Sequence, residues 1–194
     1  SSKVCNYIDM PLQAVTDNLL RIMKRGTKKE YTMRVINELR ERIPNICLRS
    51  TLIVGHPGET GADFEETKDF IREFKFNRLG IFTYSQEDGT PSAKMEKQIP
   101  IEKKIERMNA LMELQQSISL RANQALVGSK TAVLIDSFDA KNKVFRGRTE
   151  ADAPEIDNEV ILDYTNSINV GNIYQVSIYD ANEYELYAKI SMQA

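Results

Sequence analysis

The run Arg49-Ser50-Thr51-Leu52-Ile53-Val54-Gly55-His56-Pro57-Gly58-Glu59-Thr60 limits the possible folds more than any other part of the chain. Its first half is short, apolar and rich in β-branched residues, the pattern of a buried strand. Gly-His-Pro-Gly then neither continues a strand nor starts a helix. From Thr60 the pattern turns helical: Asp63 lies three residues on, and Phe64, Thr67 and Ile71 follow at helical spacing. Thr60 is thus placed as an N-cap with Asp63 in the first turn. Strand, glycine loop and helix is the repeating unit of α/β folds, whose ligands bind at the carboxyl ends of strands. Two glycines let a ligand approach bare backbone. Such a loop also serves merely to turn a corner, and its spacing fits neither the phosphate loop nor the dinucleotide fingerprint. A ligand held here is gripped by backbone and by Glu59.

Units of the same kind flank this run. Cys5–Met10 reads as a strand stopped by Pro11, with Leu12–Val15 as a loop. Thr16 caps a helix that runs to about Arg25 and ends at Gly26. A second helix covers residues 30–42, with Tyr31, Val35, Ile36, Leu39 and Ile43 on one stripe. The helix after the glycine loop reaches Phe74, and Arg78–Tyr84 is a third strand. The polar stretch 85–100 is a loop. Residues 101–126 form the longest helix, with Ile105, Met108, Leu111, Met112, Gln115, Ile118 and Ala122 along one side. Strands joined by helical crossovers predict a parallel sheet, here part of a larger barrel-like domain.

Residues 128–194 follow another rule. Lys130–Asp136, Lys143–Thr149, Glu159–Tyr164, Ile173–Tyr179 and Tyr184–Ser191 are short strands at regular spacing, which predicts a small closed barrel of the oligonucleotide-binding type. The change of pattern coincides with a change of charge. Residues 1–127 hold 20 Lys and Arg against 17 Asp and Glu; residues 128–194 hold 6 against 11. We place a domain boundary there, giving domains 1–127 and 128–194. The loop Glu150–Asp157 carries four carboxylates in eight residues. Phosphate contacts need the opposite sign, so the barrel suits a basic protein, or RNA only through Arg146 and Arg148.

Composition is that of a soluble globular chain, and no apolar run is long enough to span a membrane. The start lacks Met and any signal peptide, so an excised piece of a cytoplasmic protein is expected. Cys5 and Cys47 cannot build a disulfide framework and fit a reducing compartment; both sit in apolar surroundings and read as small core residues.

Tyr7-Ile8-Asp9-Met10-Pro11-Leu12-Gln13, Met23-Lys24-Arg25, residues 48–60, and Phe82-Thr83-Tyr84-Ser85 with Gly89-Thr90 together resemble the radical-SAM methylthiotransferases, and residues 128–194 resemble their TRAM domain. The loop Ala151–Asp157 is similar to that of the branch that methylthiolates the β-carbon of an aspartate on a small-subunit ribosomal protein (S-twelve). The resemblance covers essentially the whole chain. It implies an α/β plus small all-β architecture: the C-terminal half of a partial (β/α) radical-SAM barrel, then a five-stranded TRAM barrel. It also implies S-adenosyl-L-methionine (SAM), two [4Fe–4S] clusters in the full-length parent, and an electron donor. A reduced cluster would cleave SAM to a radical that removes hydrogen from the substrate carbon, and a methylated sulfur held at the second cluster would follow.

Carried onto this sequence, Thr51, Gly55, Pro57, Gly58 and Glu59 would line SAM. Gln13 and Arg49, at the ends of neighbouring strands, would touch its polar groups. Tyr84 would stand near the substrate, and Asp152, Glu155 and Asp157 would bind the basic ribosomal protein. The family has an aromatic residue where His56 stands, and His56 reads as a packing residue. The family's Cys-x-x-x-Cys-x-x-Cys set has no counterpart here, and cluster ligation needs three or four thiolates. The metal ligands are therefore expected to be absent from this fragment, and the fragment alone to be inactive.

Three other readings stand beside this one. The tRNA-modifying branch of the same family, which methylthiolates an adenosine, shares the barrel residues. A binding module without catalysis would use the small barrel on RNA. An unrelated α/β enzyme would use Glu59 as a base. Nucleic acid is otherwise not expected as a partner, nor is a membrane.

Overall fold

Alternation along one strand organises the first half of the molecule. In β2 (Cys47–Val54), Leu48, Ser50, Leu52 and Val54 are buried, while Arg49, Thr51 and Ile53 are half-buried. β3 (Arg78–Thr83) lies parallel to it, in register from Arg49 opposite Arg78 to Val54 opposite Thr83. β1 (Tyr7–Asp9) flanks β2 on the other side. The computed structural model describes residues 4–191. They divide into two compact units, residues 8–118 and residues 4–7 with 119–191.

In the first unit one sheet face is covered by helices α2 (Lys29–Arg42), α3 (Gly61–Phe74) and the first part of α4 (Ile101–Gln124), while α1 (Asp17–Ile22) packs Leu19 and Leu20 with Ala14 in a small cluster of its own. Leu48, Leu52 and Val54 meet Ile36, Phe70, Ile71 and Leu111 there. Burying side chains of this size stabilises the fold by about 1.5–3 kcal/mol each. The other face carries Arg49, Thr51, Ile53, Arg78, Gly80 and Phe82, and Phe82 is 58% exposed.

Several expectations need correction. The loop expected at 12–15 prolongs the sheet: the Gln13 N–H donates to Thr51 O at 2.8 Å and Gln13 O accepts from the Ile53 N–H at 2.9 Å. Gln13 takes φ 69°, so the extension is kinked, which no alternation pattern reveals. α1 stops at Ile22, short of the expected Arg25, because Lys24 turns left-handed at φ 54°. Tyr31 is 55% exposed, and α2 buries Thr32 and Ile36 instead. Cys47 is in the core as expected, but Cys5 is exposed, since it precedes β1 and no layer covers it. α4 turns Lys104 and Arg107 inward and leaves Ile105 44% exposed.

In the second unit β4 (Lys130–Asp139), β5 (Val144–Arg148), β6 (Glu159–Asp163), β7 (Ile173–Ala181) and β8 (Glu185–Ile190) form a closed barrel of order β4-β5-β6-β8-β7. All neighbours are antiparallel except β6 and β8. Val133, Ile135, Phe145, Leu162, Val176 and Leu186 fill it. A Cβ at Gly147 would stand 2.4 Å from Leu134 O, so only glycine lets β5 approach β4 at this point. Closure removes the sheet edges that an open array would expose. Among the described residues no helix is long and apolar enough to cross a membrane.

Candidate functional site

The glycine loop follows β2 at its carboxyl end, and three devices hold it. The first is steric. Gly55 has φ 75°, and a Cβ there would fall 2.3 Å from Lys104 Cγ. The missing side chain therefore makes room for the stem of a buried lysine. Lys104 Nζ then donates to Tyr84 O at 2.9 Å and lies 4.9 Å above the Tyr84 ring.

The second device is an ion pair. The Glu59 carboxylate turns inward, accepts from the Gly55 N–H, and meets Arg107 Nη1 at 3.0 Å. Both side chains are buried, Glu59 to 2% exposure and Arg107 to 8%. The Arg107 guanidinium also lies 5.4 Å from the Phe64 ring centre. Burial pushes the Glu59 carboxyl up, and Arg107 with the Gly55 N–H offsets this only in part.

The third is Asp63, placed by the capping box that the sequence predicts with Thr60. It accepts from the Thr60 N–H and hydroxyl, from Thr16 Oγ1 at 2.8 Å and from Asn18 Nδ2 at 2.8 Å. Asn18 also donates to Gly58 O at 3.3 Å. Burial alone would raise Asp63, but these donors outweigh it and hold the carboxyl below its usual range. The start of α1 is thereby tied to the start of α3 across the loop.

His56 completes the arrangement. Its Nδ1 faces Pro57 O at 2.9 Å, so Nδ1 carries the proton, and Nε2 accepts from Ser92 Oγ at 2.9 Å. The ring meets Tyr84 edge-on, with centroids 5.0 Å apart. Burial lowers its pKa and keeps it neutral, in keeping with a packing role. Tyr84 is pinned by its N–H to Val54 O at 2.8 Å, yet its hydroxyl is buried without a hydrogen-bond partner.

These contacts sort the expected ligand residues. Gly55, Pro57, Gly58 and Tyr84 gather at the carboxyl end of the sheet, and Thr51 lies on its open face beside Gly80. Gln13 is bridged to Leu52, next to Thr51. Arg49 is not at a strand end: it is the third residue of β2, opposite the first of β3, and pairs with Asp9 at 3.0 Å. About 20 Å of strand separates it from Gly55. Glu59 faces the interior, where it shapes the loop. Lys104 and Arg107 were not foreseen. Their one signal is a pair of cations three apart in the first turns of a helix whose expected stripe holds from Met108 to Ile118 but fails at Ile105.

In the second unit the acidic loop is also internally tied. Asp152 accepts from Thr149 Oγ1 at 2.6 Å. Asp157 accepts from the Ala153 N–H and from the Tyr7 hydroxyl, both at 2.9 Å. Glu155 points outward at φ 67°. The loop borders a cleft of about 340 Å³ with Arg146, Arg148 and Glu159 in its wall. Arg146 contacts Glu159, Asp139 at 3.4 Å and Glu185 at 4.0 Å, and Arg148 contacts Asp136 at 2.6 Å. Both arginines are thus neutralised locally. Among the described residues no group of three or more His, Cys, Asp and Glu side chains could hold a metal ion.

Residues 2–71 match the Radical SAM superfamily and residues 127–190 match the TRAM domain. The chain is 46% identical over 190 residues to the ribosomal protein uS12 methylthiotransferase RimO of Chlorobium chlorochromatii, covering 97% of this chain and 43% of that protein. It is 45% identical over 189 residues to the RimO of Bacteroides thetaiotaomicron, with 96% and 43% covered. The RimO of Christiangramia forsetii is 44% identical over 188 residues, with 96% and 41% covered. The chain therefore spans less than half the length of these relatives.

Proposed function

We propose, for a chain that belongs to the radical-SAM methylthiotransferases and matches the C-terminal part of the RimO type, that it serves the transfer of a methylthio group to the β-carbon of an aspartate of ribosomal protein uS12. In this reading residues 1–127 are the C-terminal part of the radical-SAM barrel and residues 128–194 the TRAM domain. The observation that carries the substrate assignment is the charge of the small barrel. Its two cleft arginines are already paired, so its surplus carboxylates face a partner, and a basic protein satisfies them where RNA would not.

The residues at the strand ends fit SAM. Gly55 leaves backbone bare, Thr51 and Ile53 offer a half-open face, and the Tyr84 hydroxyl has a hydrogen bond still to make. Bound there, SAM would supply radical chemistry directed at the substrate carbon. Gln13, Thr51, Gly55, Pro57 and Gly58 would hold it. Lys104 fixes the Tyr84 carbonyl and ring, and Glu59 with Arg107 fixes the Gly55 N–H, so both act by positioning. Tyr84 would border the substrate, and Glu155, held out by the Asp152 and Asp157 contacts, would meet the basic partner. The two cysteines do not fit a cluster: one is exposed, the other sits in the core. The parent's two clusters and its electron donor therefore depend on other parts of that protein, and this chain alone is inactive.

Anaerobic incubation of the full-length protein with SAM, reductant and either uS12 or an anticodon-stem RNA tests the assignment. A mass gain of one methylthio group on the uS12 aspartate is expected. A gain on RNA alone would replace this reading with the tRNA adenosine one. Iron and sulfide measured on this chain after reconstitution should be absent, and a stoichiometric cluster would overturn the claim of inactivity.

A further inference from the structure

We propose that the turn between α1 and α2 is a phosphate-contact surface that holds RNA beside the candidate site. Residues 21–34 contain six lysines and arginines against one acid, Glu30. Arg21, Lys24, Arg25 and Lys28 are all exposed. Arg21 reaches only the Asn18 side-chain oxygen at 3.0 Å, and Arg25 only Pro11 O at 3.3 Å. Lys24 and Lys28 have no ion pair among the described residues. This differs from the small barrel, where each cleft arginine stands against carboxylates.

The shape suits a strand of nucleic acid. Two clefts of about 790 and 590 Å³ share Gly26, Thr27 and Lys28 and so form one continuous trough. Arg21 and Lys24 line one end, and Tyr31 and Arg34 the other. Tyr31 is 55% exposed, with the Arg34 guanidinium 5.1 Å from its ring centre. Arg34 also stands 3.9 Å from Glu38, so among the described residues the trough cations without an ion pair are Arg21, Lys24 and Lys28. An exposed aromatic ring beside this file of three is what single-stranded RNA needs, with phosphates on the cations and a base on the ring. Asp17, on the trough wall, is engaged by the Lys29 N–H at 2.8 Å. Lys29 itself pairs with Glu66 at 2.8 Å and lies outside the file.

The trough adjoins the candidate site. A Cβ at Gly58 would lie 2.9 Å from Ile22 Cδ1, so the end of α1 abuts the glycine loop. Arg25 grips Pro11 O, two residues before Gln13. RNA in the trough would thus run past the mouth of the site. A ribosomal protein is surrounded by RNA, so a protein-modifying enzyme gains orientation from such a contact. The expectation that nucleic acid is no partner rested on the barrel alone, and the first unit carries the opposite sign.

Fluorescence anisotropy of this chain with a fluorescein-labelled oligouridine of about twelve nucleotides tests the proposal across salt concentrations. The Arg21→Gln, Lys24→Gln, Lys28→Gln triple variant should bind about tenfold more weakly and lower the log–log salt slope by about 2, as three lost phosphate contacts require. Tyr31→Ala should weaken binding about tenfold with the slope unchanged. Lys24→Arg with Lys28→Arg should preserve both, and so should the barrel control Lys130→Gln with Lys141→Gln. Three results would each overturn the proposal: no binding at low salt, affinity that follows the barrel variant instead, or a labelled polyglutamate peptide binding as tightly as RNA. The readout involves no methylthio transfer, so this inference and the substrate assignment fail separately.

Discussion

Two arginines separate the two units more clearly than their folds do. Arg107 is 8% exposed and faces one carboxylate, Glu59; Arg146 is 31% exposed and faces three. In the first case desolvation is severe, and the pair persists because each partner removed would strand the other. In the second, water screens every contact, and no single pair matters much. The first arrangement is architecture for a loop. The second leaves a surface whose net sign, rather than any one bond, is available to a partner. The acidic loop follows both rules, with Asp152 and Asp157 tied inward and Glu155 left out.

The largest effects should come from breaking the buried pair. Arg107→Ala leaves Glu59 without its cation and should cost about 3–5 kcal/mol in urea denaturation of the chain. A double change, Glu59→Gln with Arg107→Met, should recover most of that loss. If it does not, the pair does more than neutralise itself. Gly55→Ala drives a methyl into the Lys104 stem at a positive φ, and a loss of about 2–4 kcal/mol is expected.

The acid limb of stability sharpens the comparison within the loop itself. Asp63 is held below its usual range, so its contribution is complete above the unfolded value near pH 4 and is lost as pH falls through the lower folded value. Glu59 is raised, so its contribution is complete below its unfolded value of about 4.3 and is lost as pH climbs through the folded one. Asp63→Asn should therefore flatten the loss of stability below about pH 4, measured as the urea midpoint against pH. An unchanged acid limb would show that other carboxylates govern it. The smallest effect belongs to the barrel: Arg146→Gln should shift stability by about 1 kcal/mol or less. A loss as large as that of Arg107→Ala would erase the distinction between the buried and the screened arginine.

Legibility in the sequence followed the same division. The β2 run, the Thr60–Asp63 capping box and the five barrel strands were readable because period 2, period 3.6 and cap chemistry are local. The inward turn of Lys104 and Arg107 was not. A cation on a helix reads as solvent-facing until its buried partner is known, and Glu59 lies more than forty residues upstream. Glu59 was foreseen at the site, but its orientation depended on Arg107. The kink at Gln13 and the place of Arg49 well before the end of β2 were hidden for a similar reason, since strand register is set by neighbours in space.

The parallel pairing of β6 with β8 has a consequence for how the chain is made. Without β8, the strands in hand are β6-β5-β4-β7, an open antiparallel ribbon with two bare flanks. Synthesis proceeds from the amino end, so Glu185–Ile190, which slots between those flanks, is the last of the five strands to be made. The last strand is thus the keystone of the barrel, and its late arrival makes closure a slow, non-local event. Until then the ribbon has two open edges on which another chain could add a strand.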